Sequence, residues 1–420
     1  MNILYIAISC APYMGSEDKI GWNVPLQSAK DNKVFVITLE KQRESIENFL
    51  RENEVNNIQF YYVDIPEIHK KIYKGFFLSG RLNVWHRKVL PLAREICERE
   101  KIQVIHQVTP VEFRSIGDYG AISGTKFVCG PLAGGQKVPK ELMGYTGPYR
   151  IVEWLRNITN EYFRLMYRIS NKVKQCDYMW FANYETKEYL KKCRSLDQKY
   201  EILPDVSISR EDLVEEIDQT IQHSSLCRFL VVGRLVHLKG HDLLLDAFER
   251  IPDEFDFCCQ IVGDGVRQLH LQEKCIQRGL GERVSFKGAV PHPKMCEIYQ
   301  SADVLILPSF REATGSVLLE AMANGLPVVT INKYGGAIIL DNETGWLYEG
   351  SSKEEYIENL KNILLYCIQN PDEVKRKGLN ARRRAEEFTW EKKMENFQRV
   401  YNSLVINNTE SCDVYNVDCS

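Results

Sequence analysis

The chain contains no apolar run approaching the ~20 residues that a membrane-spanning helix needs, so no transmembrane helix is expected. Its first ten residues, MNILYIAISC, lack both a basic lead and a long apolar core. They read as a first strand rather than a signal peptide. The 13 cysteines are odd in number, scattered, and include no C-x-x-C pair. Cys258-Cys259 sits in an apolar run and is expected in the core. This usage points to a reduced, cytoplasmic protein and away from a disulfide framework or a zinc site. A net charge of −3 gives no global reason to expect nucleic acid as a partner. There is no G-x-G-x-x-G, so a dinucleotide fold is unsupported. There is also no Asp-x-Asp, the carboxylate pair with which many transferases hold a divalent ion.

What is present is an ordinary soluble composition, 44% hydrophobic and 26% charged over 420 residues, enough for two or three domains with large cores. Short apolar runs alternate with helical periodicity along the chain. In the first half the predicted strands are Asn2–Ile8, Val34–Thr38, Ile58–Val63, Val104–His106, Lys126–Cys129, Tyr178–Ala182 and Glu201–Leu203, with helices at Trp22–Ala29, Arg150–Lys174 and Tyr184–Lys192. Pro204–Ser225 is polar and charged and is expected to hold the interdomain link. The alternation then restarts at Phe229–Val232 and continues through Cys258–Val262, Val284–Phe286, Val304–Leu307 and Val328–Ile331. Two successive βα series argue for an α/β protein of two Rossmann-like domains with parallel sheets and a cleft between them. The expected domains are residues 1–205 and 206–385, with a helix at about 386–404 and a disordered tail at 405–420.

The stretch Pro308–Ile331, PSFREATGSVLLEAMANGLPVVTI, organises the rest. It reads as a loop, a turn at Gly315, a helix with Val317, Leu318, Ala321 and Met322 on one face, a stop at Asn324-Gly325, and a buried strand. Glu312 falls in the loop beyond a strand, and Glu320 sits two turns into the helix. Ligands of open α/β sheets bind at strand C-termini beside helix N-termini, within reach of both carboxylates. Taken alone, the pair could equally be a loop charge and a solvated helix residue.

The run from Pro308 to Val329 resembles the signature of retaining glycosyltransferase family 4, which uses nucleotide sugars and has the two-domain GT-B fold. The matching residues are Pro308-Ser309, Glu312, Gly315, Glu320-Ala321-Met322-Ala323 and Gly325-Leu326-Pro327-Val328-Val329. Thr314 stands where the family often has an aromatic residue. Gly233-Arg234-Leu235 with Lys239-Gly240 is similar to the family's diphosphate loop, Gly15-Ser16-Glu17 to a loop near donor and acceptor, and His106, Thr109, Phe113-Arg114 and Gly130–Gly135 to a subgroup of the family. Asp205-Val206 replaces the usual Asn-Gly at the hinge.

The resemblance implies a hexosyl-type glycosyltransferase acting with retention and without metal or other cofactor. Its expected catalytic residues are Glu312, His106, Arg234 and Lys239. Donor contacts are expected from Gly15, Arg234, Lys239, Gly263, Glu312, Thr314, Gly315, Ser316, Val317 and Glu320. Arg234 and Lys239 would hold the diphosphate, Glu320 the ribose hydroxyls, and Glu312 and His106 the donor sugar. The expected acceptor is a saccharide or a lipid-linked one, in bacterial-type surface polysaccharide or glycolipid assembly. Two other readings stand beside this one, a nucleotide-sugar epimerase of similar fold and a sugar-nucleotide-binding protein without turnover.

From Ile68 to Leu92 six cations, Lys70, Lys71, Lys74, Arg81, Arg87 and Lys88, alternate with aromatic and apolar residues, and no acid intervenes. Such a segment suits peripheral contact with an anionic membrane at the inner leaflet, or else a solvated basic face on a core helix.

Overall fold

The apolar runs become two parallel sheets in a computed structural model of the chain, which describes residues 1–12, 15–66, 68, 78–192, 199–215 and 226–413. The first sheet has seven strands: β1 (Asn2–Ala7), β2 (Lys33–Thr38), β3 (Ile58–Tyr62), β4 (Val104–Thr109), β5 (Lys126–Leu132), β6 (Tyr178–Phe181) and β7 (Lys199–Ile202). Their order is β3-β2-β1-β4-β5-β6-β7, and every pairing is parallel. The helices between them are α1 (Ser16–Ser28), α2 (Arg43–Glu52), α3 (Leu78–Glu100), α4 (Tyr149–Ile169) and α5 (Tyr184–Lys191). The second sheet has six parallel strands: β8 (Cys227–Val232), β9 (Phe257–Val262), β10 (Val284–Gly288), β11 (Val304–Leu307), β12 (Val328–Ile331) and β13 (Gly345–Tyr348). They are ordered β10-β9-β8-β11-β12-β13. With them run α6 (His241–Phe248), α7 (Gln268–Gln277), α8 (Met295–Gln300), α9 (Ser316–Ala323), α10 (Gly336–Ile339), α11 (Lys353–Gln369) and α12 (Pro371–Ala385).

Central parallel strands covered on both faces are buried throughout, which is why their runs are apolar without alternation, whereas the edge strands β3 and β10 are partly exposed. β4, VIHQVT, is buried at all six positions. On one face of the first sheet Trp85 of α3 packs with Phe127 and Met179. On the other lies the last helix, α13 (Trp390–Asp413). Its Phe397 ring sits 4.6 Å from Trp180, and its Asn396 accepts a hydrogen bond from the Trp180 indole at 2.9 Å. Lys393, also on α13, donates to the carbonyls of Pro204, Asp205 and Val206 at 2.7–2.9 Å and fixes the chain where it leaves the first sheet.

The contacts divide the chain into a first unit of residues 1–135, 156–206 and 390–420, and a second of 136–155 and 207–389. Residues 136–155, expected in the first domain, group with the second because Val138 and Leu142 enter its core and Tyr145 donates to Asp246 at 2.5 Å. The final helix continues to Asp413 instead of ending near 404, and residues 414–420 of the expected tail lie outside the described residues. α1 starts at Ser16, earlier than Trp22, and β13 is a strand that the sequence reading did not include.

Of the basic segment, residues 69–77 lie outside the described residues. From Leu78 onward it is α3, whose Leu82, Trp85 and Val89 are buried, with the Trp85 indole donating to the Val63 carbonyl at 2.9 Å. Arg87 and Lys88 are left on the exposed side. This described part is a core helix with a solvated basic face. No helix among the described residues is long and apolar enough to cross a membrane.

Candidate functional site

In the second sheet the chain order reverses between β8 and β11, so the loops following these two strands part at the switch point where α/β folds bind ligands. Both loops carry charged candidates. After β8 come Gly233, Arg234 and, through a short turn, Lys239-Gly240. After β11 come Pro308 to Gly315. Two glycines allow the backbones to close on each other. Gly240 has φ +71°, and a Cβ there would stand 1.9 Å from the Pro308 carbonyl oxygen. Gly263, just after β9 and with φ +135°, would place a Cβ 2.0 Å from the Gly233 carbonyl oxygen, so the β9 loop closes on the β8 loop as well. Backbone bonds complete the join: Phe310 N–H donates to the Leu238 carbonyl at 2.9 Å, and Leu235 N–H to the Asp264 carbonyl at 2.7 Å.

This closure sets Lys239 against Glu312. The ammonium donates to the carboxylate, and both side chains are half-buried. The Arg234 side chain is exposed and makes no hydrogen bond or ion pair with another described residue. The site therefore holds one free guanidinium and one lysine neutralised by the carboxylate expected to touch the donor sugar. The backbone of the Glu312 loop is braced from two sides. Tyr334 donates to the Phe310 carbonyl at 3.0 Å and lies 2.5 Å from that of Lys137. Arg311, next to Glu312, has its Nη2 3.0 Å from Oε1 of Glu153, a carboxylate on α4 that is only 1% exposed.

Gly315 (φ +89°) turns the chain into α9, so the first-turn N–H groups of Ser316 and Val317 stand at the opening of that helix. Thr314 is buried, its carbonyl against Gly335. Glu320, farther along α9, is half-buried and accepts a hydrogen bond from the buried Tyr299 hydroxyl at 2.7 Å. One carboxylate oxygen is thus fixed, and the remaining acceptor capacity is oriented by it. Arg234, Lys239, Gly263, Glu312, Thr314–Val317 and Glu320 all belong to one end of one sheet.

The two candidates in the first unit differ. Gly15 is exposed and opens α1. Two residues on, Glu17 accepts the Val111 N–H at 2.9 Å. Burial pushes its carboxyl up to about 7, with Glu112, Asp18 and Asp205 adding to the rise against that N–H. His106 overturns its expected role. It is fully buried, ringed by Tyr5, Trp180, Phe397 and Tyr401. Its Nε2 is 2.7 Å from the Gly130 carbonyl, which only accepts, so Nε2 carries the proton. Nδ1 then accepts from the Tyr401 hydroxyl at 2.6 Å. Burial lowers its pKa to about 4, so the ring is neutral. It joins β4, β5 and α13 as a core residue and has no nitrogen left for a ligand.

The glycine-rich segment 130–135 is likewise structural. Gly130–Leu132 extends β5, the Gly134 carbonyl accepts from Arg156 (2.5 Å) and Asn160 (3.0 Å), and Gly135 N–H donates to Thr186. Glu153 and Arg311 went unnoticed in the sequence because their partners are distant in the chain, and no local pattern marks the Tyr299–Glu320 contact.

Residues 214–384 match the family model described as "Glycosyl transferases group 1". That stretch is thus similar to group 1 glycosyl transferases. Its described part contains the β8 and β11 loops, Lys239, Glu312 and Glu320. Over 199 residues the chain is 31% identical to a D-inositol 3-phosphate glycosyltransferase of Corynebacterium diphtheriae, a match covering 45% of this chain and 45% of that protein. It is 37% identical over 121 residues to an uncharacterised glycosyltransferase of Methanocaldococcus jannaschii, covering 28% of this chain and 31% of that one. The matches thus span less than half the length of these curated relatives.

Among solved structures, the sucrose-phosphate synthase of Thermosynechococcus elongatus aligns with TM-score 0.66 at 17% identity, covering 97% of this chain and 99% of that one. Anabaena HepE, solved with UDP and glucose, aligns with TM-score 0.60 at 17% identity over 96% and 100%. These likenesses establish the fold as GT-B, two Rossmann-like units with parallel sheets.

Proposed function

We propose that the chain is a glycosyltransferase that moves a sugar from a nucleotide-sugar donor to an acceptor hydroxyl. The observation that carries this is the pairing of Lys239 with Glu312 at the β8/β11 switch point, with Arg234 exposed on the same loop. A nucleotide sugar brings a diphosphate to that point. Lys239 would exchange Glu312 for phosphate oxygens, Arg234 would supply its planar fork of donors, and the opening N–H groups of α9 would add to both. Cleavage of the sugar–phosphate bond leaves negative charge on the diphosphate. Two fixed cations stabilise that state more than the bound donor, which is the condition for catalysis. Glu312, released, would accept hydroxyls of the donor sugar, and Glu320 would accept those of the ribose beside Tyr299.

On this reading the diphosphate is held without metal, in keeping with the missing Asp-x-Asp. The sugar transfers with retention, as in family 4, and the leaving phosphate takes the acceptor's proton, since His106 cannot. The acceptor is a saccharide or a lipid-linked one of surface polysaccharide or glycolipid assembly, and the enzyme works in the cytoplasm or at the inner face of its membrane. Support for a nucleotide-sugar donor comes from the HepE structures, solved with UDP and with UDP-glucose.

Calorimetric titration of UDP and other nucleoside diphosphates in EDTA, then in magnesium, tests the proposal. Affinity for at least one of them should change less than about threefold between the two, because the cations are built into the protein. A fall of orders of magnitude in EDTA would defeat the metal-free account, and no binding of any nucleoside diphosphate would defeat the donor reading.

A further inference from the structure

α4 is a 21-residue helix that turns an apolar face outward. Ile151, Trp154, Ile158, Tyr162, Leu165 and Ile169 recur at intervals of three and four, so they lie in one stripe about 27 Å long. Among the described residues none is covered: Ile151 is 64% exposed, Trp154 61% and Ile169 73%. The inward side explains why the segment is a helix at all. Glu153 pairs with Arg311, Asn160 holds Gly134, and Tyr167 donates to the Phe113 carbonyl at 2.8 Å. The outer stripe takes no part in that packing, and soluble monomers rarely leave so continuous an apolar patch open without using it.

The charges around the stripe select its occupant. Arg150 is exposed at one end. Near the other end Arg168 donates to the Lys192 carbonyl at 2.9 Å, which draws the exposed Lys191 and Lys192 alongside it, and Lys174 follows the helix. Of the helix's two acids, Glu153 is buried and Glu161 is taken by Arg164 at 2.5 Å. The stripe is apolar, carries Trp and Tyr, and has a rim of cations. These are the features of a helix lying flat in an anionic lipid interface. A second copy fits less well, because antiparallel docking of two such stripes would bring the Arg150 end of one against the Arg168 and Lys192 end of the other.

We propose that α4 seats the protein on anionic lipid through this stripe. The inference rests on the transferase reading only for its meaning, access to a lipid-borne acceptor. Vesicle binding is read without donor or acceptor, so either idea can fail while the other stands.

The test is flotation of the full chain with vesicles of phosphatidylglycerol and phosphatidylcholine, against phosphatidylcholine alone, at low and high salt. Wild type should float with the anionic vesicles and dissociate from them as salt rises. Ile158→Glu with Leu165→Glu should lower the partition coefficient about tenfold or more. Arg87→Glu with Lys88→Glu on α3 should change it less than about twofold, because among the described residues that basic face has no exposed apolar stripe beside it. Circular dichroism and thermal melting check that each variant is folded. Should the double α4 variant fail to fold, the milder Ile158→Ser and Arg168→Gln are compared in its place.

Three results overturn the proposal. One is a wild type that stays unbound with anionic vesicles at low salt, and another is folded α4 variants that float unchanged. The third is a wild-type dimer in sedimentation velocity that the α4 variants dissociate while no vesicle binding occurs; the stripe is then a contact between copies.

Discussion

The two sheets offer the same opportunity, a point where chain order reverses, and use it differently. In the second unit the strands flanking the reversal, β8 and β11, end in loops whose polar side chains remain half-buried or exposed: Arg234, Lys239, Glu312. In the first, the reversal lies between β1 and β4, and the histidine carried by β4 is sealed under α13. Strand-end position is thus a necessary sign of a site and not a sufficient one. What decides is whether a residue belongs to the strand or to the loop beyond it. β4 continues to Thr109, so His106 is still inside a doubly covered sheet, whereas β11 stops at Leu307, five residues before Glu312.

The largest effect expected from that contrast is at Lys239. On the proposed reading, in which Lys239 meets the diphosphate mainly as charge develops, Lys239→Ala should lower kcat for transfer about 10²–10³-fold. Steady-state kinetics with whichever nucleotide sugar binds checks this, and a variant within about threefold of wild type would place the reactive phosphate elsewhere.

His106→Ala should act through stability. It removes a buried ring and strands the Tyr401 hydroxyl and the Gly130 carbonyl, for a loss of about 2–4 kcal/mol. Urea unfolding reads it. A variant of unchanged stability whose transfer nonetheless collapses would restore His106 to the reaction centre.

Why one half of the site was legible and the other was not follows from these residues. The Pro308–Val329 run encodes a local unit, with Gly315 for the turn, an apolar helix face and Gly325 for the stop. Every feature needed to place Glu312 and Glu320 lies within two dozen residues. The strand alternation was legible for the same reason, since doubly covered strands are apolar from end to end. His106 was misread because what closes over it, Phe397 and Tyr401, is almost 300 residues away in the chain. The regrouping of residues 136–155 and the Glu153–Arg311 pair were hidden likewise, being tertiary facts with no local pattern. The outward face of α4 was hidden in a different way. Its apolar periodicity is that of any core helix, and only the structure shows that no described residue covers it.

Glu320 sharpens the reading of the second unit. Glu320→Ala should raise the dissociation constant for a nucleoside diphosphate tenfold to a hundredfold, the loss of about 1.5–3 kcal/mol from a charged acceptor. Tyr299→Phe, which removes only the hydroxyl holding one carboxylate oxygen, should cost a few-fold. Equal losses in the two variants would mean that Glu320 serves the fold of α9 and not the nucleotide.

The smallest effect is also the most discriminating, because its sign is unusual. Glu312 occupies the Lys239 ammonium, so on the proposed reading a diphosphate must first break an ion pair. Glu312→Gln keeps the shape of the side chain and removes its charge. Lys239 is then released, and like-charge repulsion between the carboxylate and the incoming phosphates is removed. A half-buried pair of this kind contributes up to about 1 kcal/mol, so the nucleoside diphosphate should bind about two- to fivefold more tightly to the variant. Transfer should fall at the same time, since the donor sugar loses its charged acceptor. Parallel calorimetry and kinetics on Glu312→Gln read both numbers from one preparation. Tighter nucleotide with slower transfer supports the exchange of Lys239 from carboxylate to phosphate; weaker nucleotide binding would mean that Glu312 holds Lys239 in its working position and that no such exchange takes place.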